Sequence, residues 1–421
     1  MYLLRNSLVP AIALLTALIG APSVHAQTYT LNTLATFNGD NGFSPYAGLT
    51  LFGGTLYGTT QGGGANDSGT VFSVPVTGGT PTTLANFNGD NGDGPTAGLT
   101  LIGSTLYGTT EYGGGSGSSN GGTVYSVPNT GGAVTTLATF NGSGGIGTNP
   151  YAGLTLGADG RTFYGTTESG GAYGFGTVYS VPVTGGTPTT LATFNSSNGS
   201  RPYAGLTLGA DGTLYGTTNG DAFHYGTVFS VPMSGGAPTT LATFNYSNGK
   251  NPQGGLTLFG GTLYGTASGG GAYDRGTVFS VPNIGGALTT LANFSGSNGV
   301  SPNAGLILIG STLYGTTEGG GDAKNDGTVF SLPLTGGTPT TLAAFNGSNG
   351  SGPGAGLTLG ADGTLYGTTV DGGAYDDGTV FSLTLNGPPA VPEASTTVSL
   401  GLLLVLGLGG VVLARKKRVN A

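Results

Sequence analysis

Four short phrases recur seven times each along the chain, about 50 residues apart, and this regularity constrains the fold more than any other feature. The first is Leu-Tyr-Gly-Thr (Phe-Tyr-Gly-Thr in one copy), with its tyrosine at Tyr57, Tyr107, Tyr164, Tyr215, Tyr264, Tyr314 and Tyr366. The second, Gly-Thr-Val-Phe/Tyr, starts at Gly69, Gly122, Gly176, Gly226, Gly276, Gly327 and Gly378. The third, Thr-Leu-Ala-x-Phe, ends at Phe37, Phe87, Phe140, Phe194, Phe244, Phe294 and Phe345. The fourth, Gly-Leu-x-Leu, starts at Gly48, Gly98, Gly153, Gly205, Gly255, Gly305 and Gly356. Each phrase is rich in Thr, Val, Leu and aromatic residues and bounded by glycine, the pattern of a strand between tight turns. Phe52-Gly53-Gly54, Val76-Thr77-Gly78-Gly79 and Gly209-Ala210-Asp211-Gly212 are hairpin signals. The pattern predicts an all-β fold, a seven-bladed β-propeller of four-stranded antiparallel blades.

The order of phrases at the chain ends predicts a closed ring. The first strand, residues 30–37, is of the type that ends a unit. The last unit begins at Gly356 and stops after Leu383 without that strand. The N-terminal strand therefore completes the last blade and removes two exposed edges. An open solenoid, whose ends stay apart, gains nothing from this order.

The chain has 89 glycines, no cysteine, no tryptophan and only 7% charged residues. Such glycine content also suits a disordered linker, but the regular hydrophobic runs argue against one. Without cysteine there are no disulfides, thiol nucleophiles or thiolate metal sites. Stability must come from apolar burial and backbone hydrogen bonds.

Seven copies allow an internal comparison. Positions held in every copy serve the fold they share. The tyrosines of Leu-Tyr-Gly-Thr and the aromatics Phe72, Tyr125, Tyr179, Phe229, Phe279, Phe330 and Phe381 are read as filling between blades, in preference to a sugar-binding ladder. Function belongs in what differs between copies. Two connections per unit are tight turns and two are long, for example residues 60–69 and 87–98. In a four-strand meander the long ones emerge on one face, the default binding surface.

Charge marks the same face. Between Gln27 and Ala390 there are 17 acids and 5 bases, a net charge of −12. Only Asp159, Asp211 and Asp362 fall in short turns; the other acids lie in long loops, with Arg201, Lys250, Arg275 and Lys324. Such a surface disfavours nucleic acid and could attract cations or a basic partner, although Asp is also simply a good turn residue. Weak metal candidates are Asp90 and Asp93 in Asn88-Gly89-Asp90-Asn91-Gly92-Asp93-Gly94, and Asp371, Asp376 and Asp377. The first run lacks calcium-loop spacing and a closing Glu. His224 occupies a long loop where other copies place Asp67, Gly174, Asp274, Asn325 or Asp376, and reads as a tolerated loop residue, not a general base. No catalytic residue, metal site or cofactor site is assigned.

The two ends read as sorting segments, not as fold. Residues 1–26 resemble a secretory signal, with Arg5, an apolar stretch over 8–19 and Val24-His25-Ala26 before the cut. The propeller is expected over 27–387 and a linker over 388–397. An apolar run over 398–414, long enough for a transmembrane helix, precedes a basic tail over 415–421 containing Arg415, Lys416, Lys417 and Arg418. Val391-Pro392-Glu393, the apolar run and the basic end together resemble the PEP-CTERM sorting signal of Gram-negative bacteria, with Ala394 where that family usually has proline. The resemblance implies an exosortase-type partner in the inner membrane, removal of the tail, and delivery to the cell surface or extracellular matrix.

The internal units resemble the bacterial GloVer tandem repeat, over nearly the whole mature chain. That resemblance agrees with surface delivery and brings no catalytic residues to transfer. The expectation is a non-enzymatic surface or matrix protein whose acidic long-loop face binds polysaccharide or an envelope protein. The alternative is a polysaccharide hydrolase or lyase using carboxylates of that face.

Overall fold

The second and third strands of each unit carry Thr, Val, Leu and aromatic residues in near-continuous runs, so both faces of the sheet are buried. The computed structural model describes residues 28–386 apart from 116–120, 143–144, 222–223 and 323. The sorting segments, with Val391, Pro392, Glu393, Arg415, Lys416, Lys417 and Arg418, lie outside the described residues. No described residue is in an α-helix, and no helix among them is long and apolar enough to cross a membrane.

The described chain forms seven four-stranded antiparallel blades. Blade 1 runs, from axis to rim, through Thr50–Phe52, Thr55–Thr60, Thr70–Pro75 and Thr82–Asn86. Blades 2 to 6 repeat this order. Blade 7 consists of Thr358–Leu359, Leu365–Thr369, Thr379–Asn386 and, outermost, the N-terminal strand Thr28–Thr36. The ring is closed as the phrase order predicts. The N-terminal strand starts two residues earlier than its phrase, and Phe37 leaves it to enter the seam with blade 1.

The junction of the last and first blades is spaced within the range of the other junctions. A Cβ built on Gly48 would lie 3.3 Å from the carbonyl oxygen of Gly356, across the junction of last and first blade. The same gap is 3.2 Å from Gly98 to Gly48 and 3.5 Å from Gly356 to Gly305. At Gly48, Gly98, Gly153 and Gly305 the added Cβ would fall within 3.4 Å of the neighbouring backbone, so glycine lets those inner strands approach.

Apolar burial is divided among the seams. Seven clusters of buried side chains each join two neighbouring blades. In every seam the Phe that ends one outer strand meets the aromatic of the next blade's third strand edge to face. Phe37 and Phe72 are 4.9 Å apart, Phe294 and Phe330 5.0 Å, Phe345 and Phe381 5.0 Å. The third-strand aromatics are all fully or almost fully buried, as expected of filling between blades.

Threonine ties the same seams with hydrogen bonds. Thr59, Thr109, Thr166, Thr266, Thr316 and Thr368 each donate to the alanine carbonyl of the next blade's inner strand, at 2.8–3.2 Å. Thr217 of blade 4 does not. Its buried hydroxyl has no partner, and the residue opposite is Gly254 where six copies have alanine. The backbone there leans toward blade 6: a Cβ on Gly254 would lie 2.5 Å from Ala304. Thr316→Val should therefore cost about 1 kcal/mol of unfolding free energy, whereas Thr217→Val removes an unpaired buried hydroxyl and should stabilise by up to about 1 kcal/mol. Parallel urea denaturation checks this, and an equal loss in both would show that the seam at Gly254 is bonded after all.

Candidate functional site

Two positions per unit vary while their neighbours stay constant, and the fold gathers both at the axis on the long-loop face. One precedes the inner strand's Ala-Gly and reads Tyr46, Thr96, Tyr151, Tyr203, Gln253, Asn303 and Gly354 around the ring. These residues line an axial cavity of about 300 Å³. The other follows the Thr-Thr that ends the second strand and reads Gln61, Glu111, Glu168, Asn219, Ser268, Glu318 and Val370.

The two rings interlock. Tyr203 donates its hydroxyl to Glu168 Oε1 at 2.7 Å, and Tyr151 meets Tyr203 edge to face at 5.1 Å. Asn303 Nδ2 donates to Glu318 Oε2 at 2.5 Å, while Asn303 Oδ1 is buried with no partner. Arg201 approaches Glu168 only to 4.0 Å and is largely exposed. Burial raises the Tyr151 phenol above its ordinary range, and the negative charges of Glu111, Glu168 and Glu318 add to the effect, so all three carboxylates reach the same side chain electrostatically. Burial does the same to Tyr46, with Glu318 and Asp371 contributing. Tyr112 is pushed up to about 12, chiefly by its hydrogen bond to Glu111.

The backbone beside the mouth is strained. The residue before each proline that leads into an inner strand has positive φ, including the non-glycines Ser44, Asn149, Arg201, Asn251 and Ser301 at 52–61°. Each is held by a backbone bond to the preceding blade, as Ser301 N to Arg275 O at 3.0 Å. Neighbouring blades thus hold a backbone conformation that these residues disfavour.

Glu111 is a carboxylate at the mouth with only 8% exposure. Burial raises its pKa, only partly opposed by Tyr112. The folded state then holds the proton more tightly than the unfolded chain, so stability falls as pH rises from the ordinary carboxylate range through the raised value. Glu111→Gln should raise the melting temperature at pH 7 by roughly 1–3 °C, with the gain fading toward pH 4. A gain that is the same at both pH values would contradict the raised pKa.

The acids singled out as metal candidates do not converge. Asp90 is exposed at its loop tip, where Asn88 and Asn91 hold the loop by accepting each other's backbone N–H. Asp93 lies in a backbone bridge to Tyr112. Asp376 accepts from Gly372 N at 3.0 Å, as Asp67 and Asp274 do in their own loops. Asp371 is bridged to Ser351 and is raised by burial and by Asp376. Asp377 receives Ser44 N on its carbonyl. Among the described residues no group of three or more His, Asp or Glu side chains is arranged to hold a metal ion.

His224 departs from the place expected of it. Asp67, Gly174, Asp274, Asn325 and Asp376 all have positive φ and His224 does not. Its loop has seven residues between Thr218 and Gly226, against eight between Ala267 and Gly276, so the left-handed position is lost. His224 Nδ1 contacts Asp221 Oδ1 at 2.8 Å and Ser196 Oγ at 3.4 Å. A relay needs the acid on one ring nitrogen and the nucleophile on the other. Here both share Nδ1, so the trio fixes a loop and does not activate Ser196.

The axial ring escaped the sequence reading because its members stand some 50 residues apart and no two are adjacent. Variation at a fixed place in otherwise constant units was the signal that could have found them.

Among solved structures the fold is similar to hydrazine synthase from Kuenenia stuttgartiensis, with 14% identity, 86% of this chain and 98% of that chain covered, and a TM-score of 0.56. A puromycin hydrolase is 16% identical over 77% of this chain and 50% of its own, with a TM-score of 0.48. A gluconolactonase from Xanthomonas campestris is 15% identical over 62% and 78%, with a TM-score of 0.39. At such identities the first shows the propeller fold alone, and the other two carry no argument. No curated protein matches the sequence. The model of the Gloeobacter/Verrucomicrobia repeat matches residues 23–222, 115–268 and 219–396, which together span nearly all of the propeller. The chain belongs to the Gloeobacter/Verrucomicrobia repeat family.

Proposed function

We propose that this chain is an exported, surface- or matrix-directed binding protein, not an enzyme, and that its axial mouth on the long-loop face takes a polysaccharide. The observation that carries the binding site is the pair of variable rings. They place three tyrosines, a glutamine and an asparagine on one open cavity and draw three carboxylates to its edge. Flat rings stack on sugar, and fixed amides and carboxylates bond its hydroxyls. Export rests on the sequence alone: residues 1–26 as a secretory signal, and a tail that resembles an exosortase substrate.

A glycan array probed with the purified chain tests the site. Binding to a defined glycan set, lost in Tyr151→Ala while the variant still melts cooperatively, is expected. An array signal that Tyr151→Ala leaves intact would move the site elsewhere. New reducing ends from a bound glycan would instead favour hydrolysis by the carboxylates at the mouth. For the tail, removing residues 392–421 should abolish surface retention, and unchanged localisation would refute the sorting reading.

A further inference from the structure

The described lining of the axial cavity carries charge of one sign only. No Lys or Arg is among the described residues lining it. Glu318 offers only acceptors. The Tyr203 hydroxyl proton is spent on Glu168 and one of the two Asn303 amide N–H groups on Glu318. Neutral donors remain in the Tyr46 and Tyr151 hydroxyls and the Gln253 amide, but the only charged group on the described lining is the Glu318 carboxylate, whose remaining lone pairs are all acceptors. A neutral sugar brings donors and acceptors in comparable number. An ammonium group brings three donors and no acceptor, and tyrosine faces attract it as well.

We propose that the axial cavity binds a protonated amino sugar, a sugar ring carrying a free ammonium group, within a polysaccharide chain. This rests on reading the cavity as a glycan site and names the glycan class. The ring stacks against Tyr46, Tyr151 or Tyr203, and its ammonium group lies toward Glu318 and Asn303. A lysine side chain carries the same cation but a thin aliphatic stem, which leaves the tyrosines and a cavity of about 300 Å³ unfilled.

The test measures binding of the full chain to a glucosamine hexamer, an N-acetylglucosamine hexamer and a lysine hexamer by calorimetry, beside the glycan array. The glucosamine hexamer should bind at least about tenfold more tightly than either of the others. Glu318→Gln should erase that preference by weakening glucosamine binding alone, with an unchanged melting temperature showing that the variant is folded. Equal affinity for the two sugar hexamers, or a preference that survives Glu318→Gln, overturns the ammonium assignment and leaves the glycan reading standing. Lysine hexamer bound as tightly as glucosamine hexamer overturns it in favour of a basic peptide. No sugar bound on the hexamers or the array overturns both readings.

Discussion

Removal of residues 28–37 should abolish cooperative unfolding of the propeller and leave a chain that associates. These residues are far from blade 7 in sequence but supply its outer strand. Phe37 N donates to Gly378 O at 3.1 Å, and Gly79 N of blade 1 donates to Leu34 O at 3.0 Å, so the strand binds blades on both sides of the junction. Ala35 and Phe37 are buried in the cluster that joins blades 7 and 1, with Leu49, Leu56, Phe72 and Val380. Without them the strand Thr379–Asn386 becomes an unpaired edge beside newly exposed apolar surface, the combination that templates pairing between chains. Two variants separate this from general truncation damage. Residues 27–38 grafted after residue 386 should restore the fold, because the strand occupies the same place from either end. The isolated peptide added in trans should restore it in part. Thermal melting and size-exclusion chromatography give the readout. A truncated chain that melts as the intact one does, and stays monomeric, would show that the ring does not depend on this strand.

The ring was legible in the sequence because it rests on local periodicity and counting. The β-branched and aromatic run in Thr-Val-Phe-Ser-Val fixes a strand, glycine pairs fix its turns, and the order of phrases at the two ends fixes closure. The axial site depends on what seven distant residues do together. Tyr203 and Glu168 are unremarkable in their own units and become partners only when the inner strands converge at the glycine ring. The seam between blades 4 and 5 is harder still. Replacing alanine by Gly254 looks like a neutral change. Its effect, a shifted backbone and an unpartnered Thr217 hydroxyl, exists only across a blade boundary. His224 shows the limit of alignment by eye: one residue fewer in its loop removes the left-handed position that its counterparts share.

Phe330→Ala should cost the propeller about 3–5 kcal/mol, as removal of a large buried aromatic does. Phe330 is fully buried between blades 5 and 6, edge to face with Phe294 at 5.0 Å and 71°. Its ring also covers its cross-strand partner Gly315, where an added Cβ would lie 2.8 Å from the ring. Truncation therefore leaves a cavity that Gly315, having no side chain, cannot fill, and it strips Phe294 of its ring contact. The loss should enter the unfolding free energy largely as destabilisation of one seam, because each apolar cluster serves only two blades. The same position in the other units supplies a control of opposite sign. Blades 2 and 3 carry Tyr125 and Tyr179 there, and both hydroxyls are buried without a partner; burial alone raises both phenols. Tyr125→Phe removes an unpaired polar atom and should stabilise by about 1 kcal/mol. Urea denaturation of the two variants checks both signs at one structural position. If Phe330→Ala cost less than about 1 kcal/mol, or Tyr125→Phe were as damaging as Phe330→Ala, the interblade aromatic pairs would not be what holds neighbouring blades together.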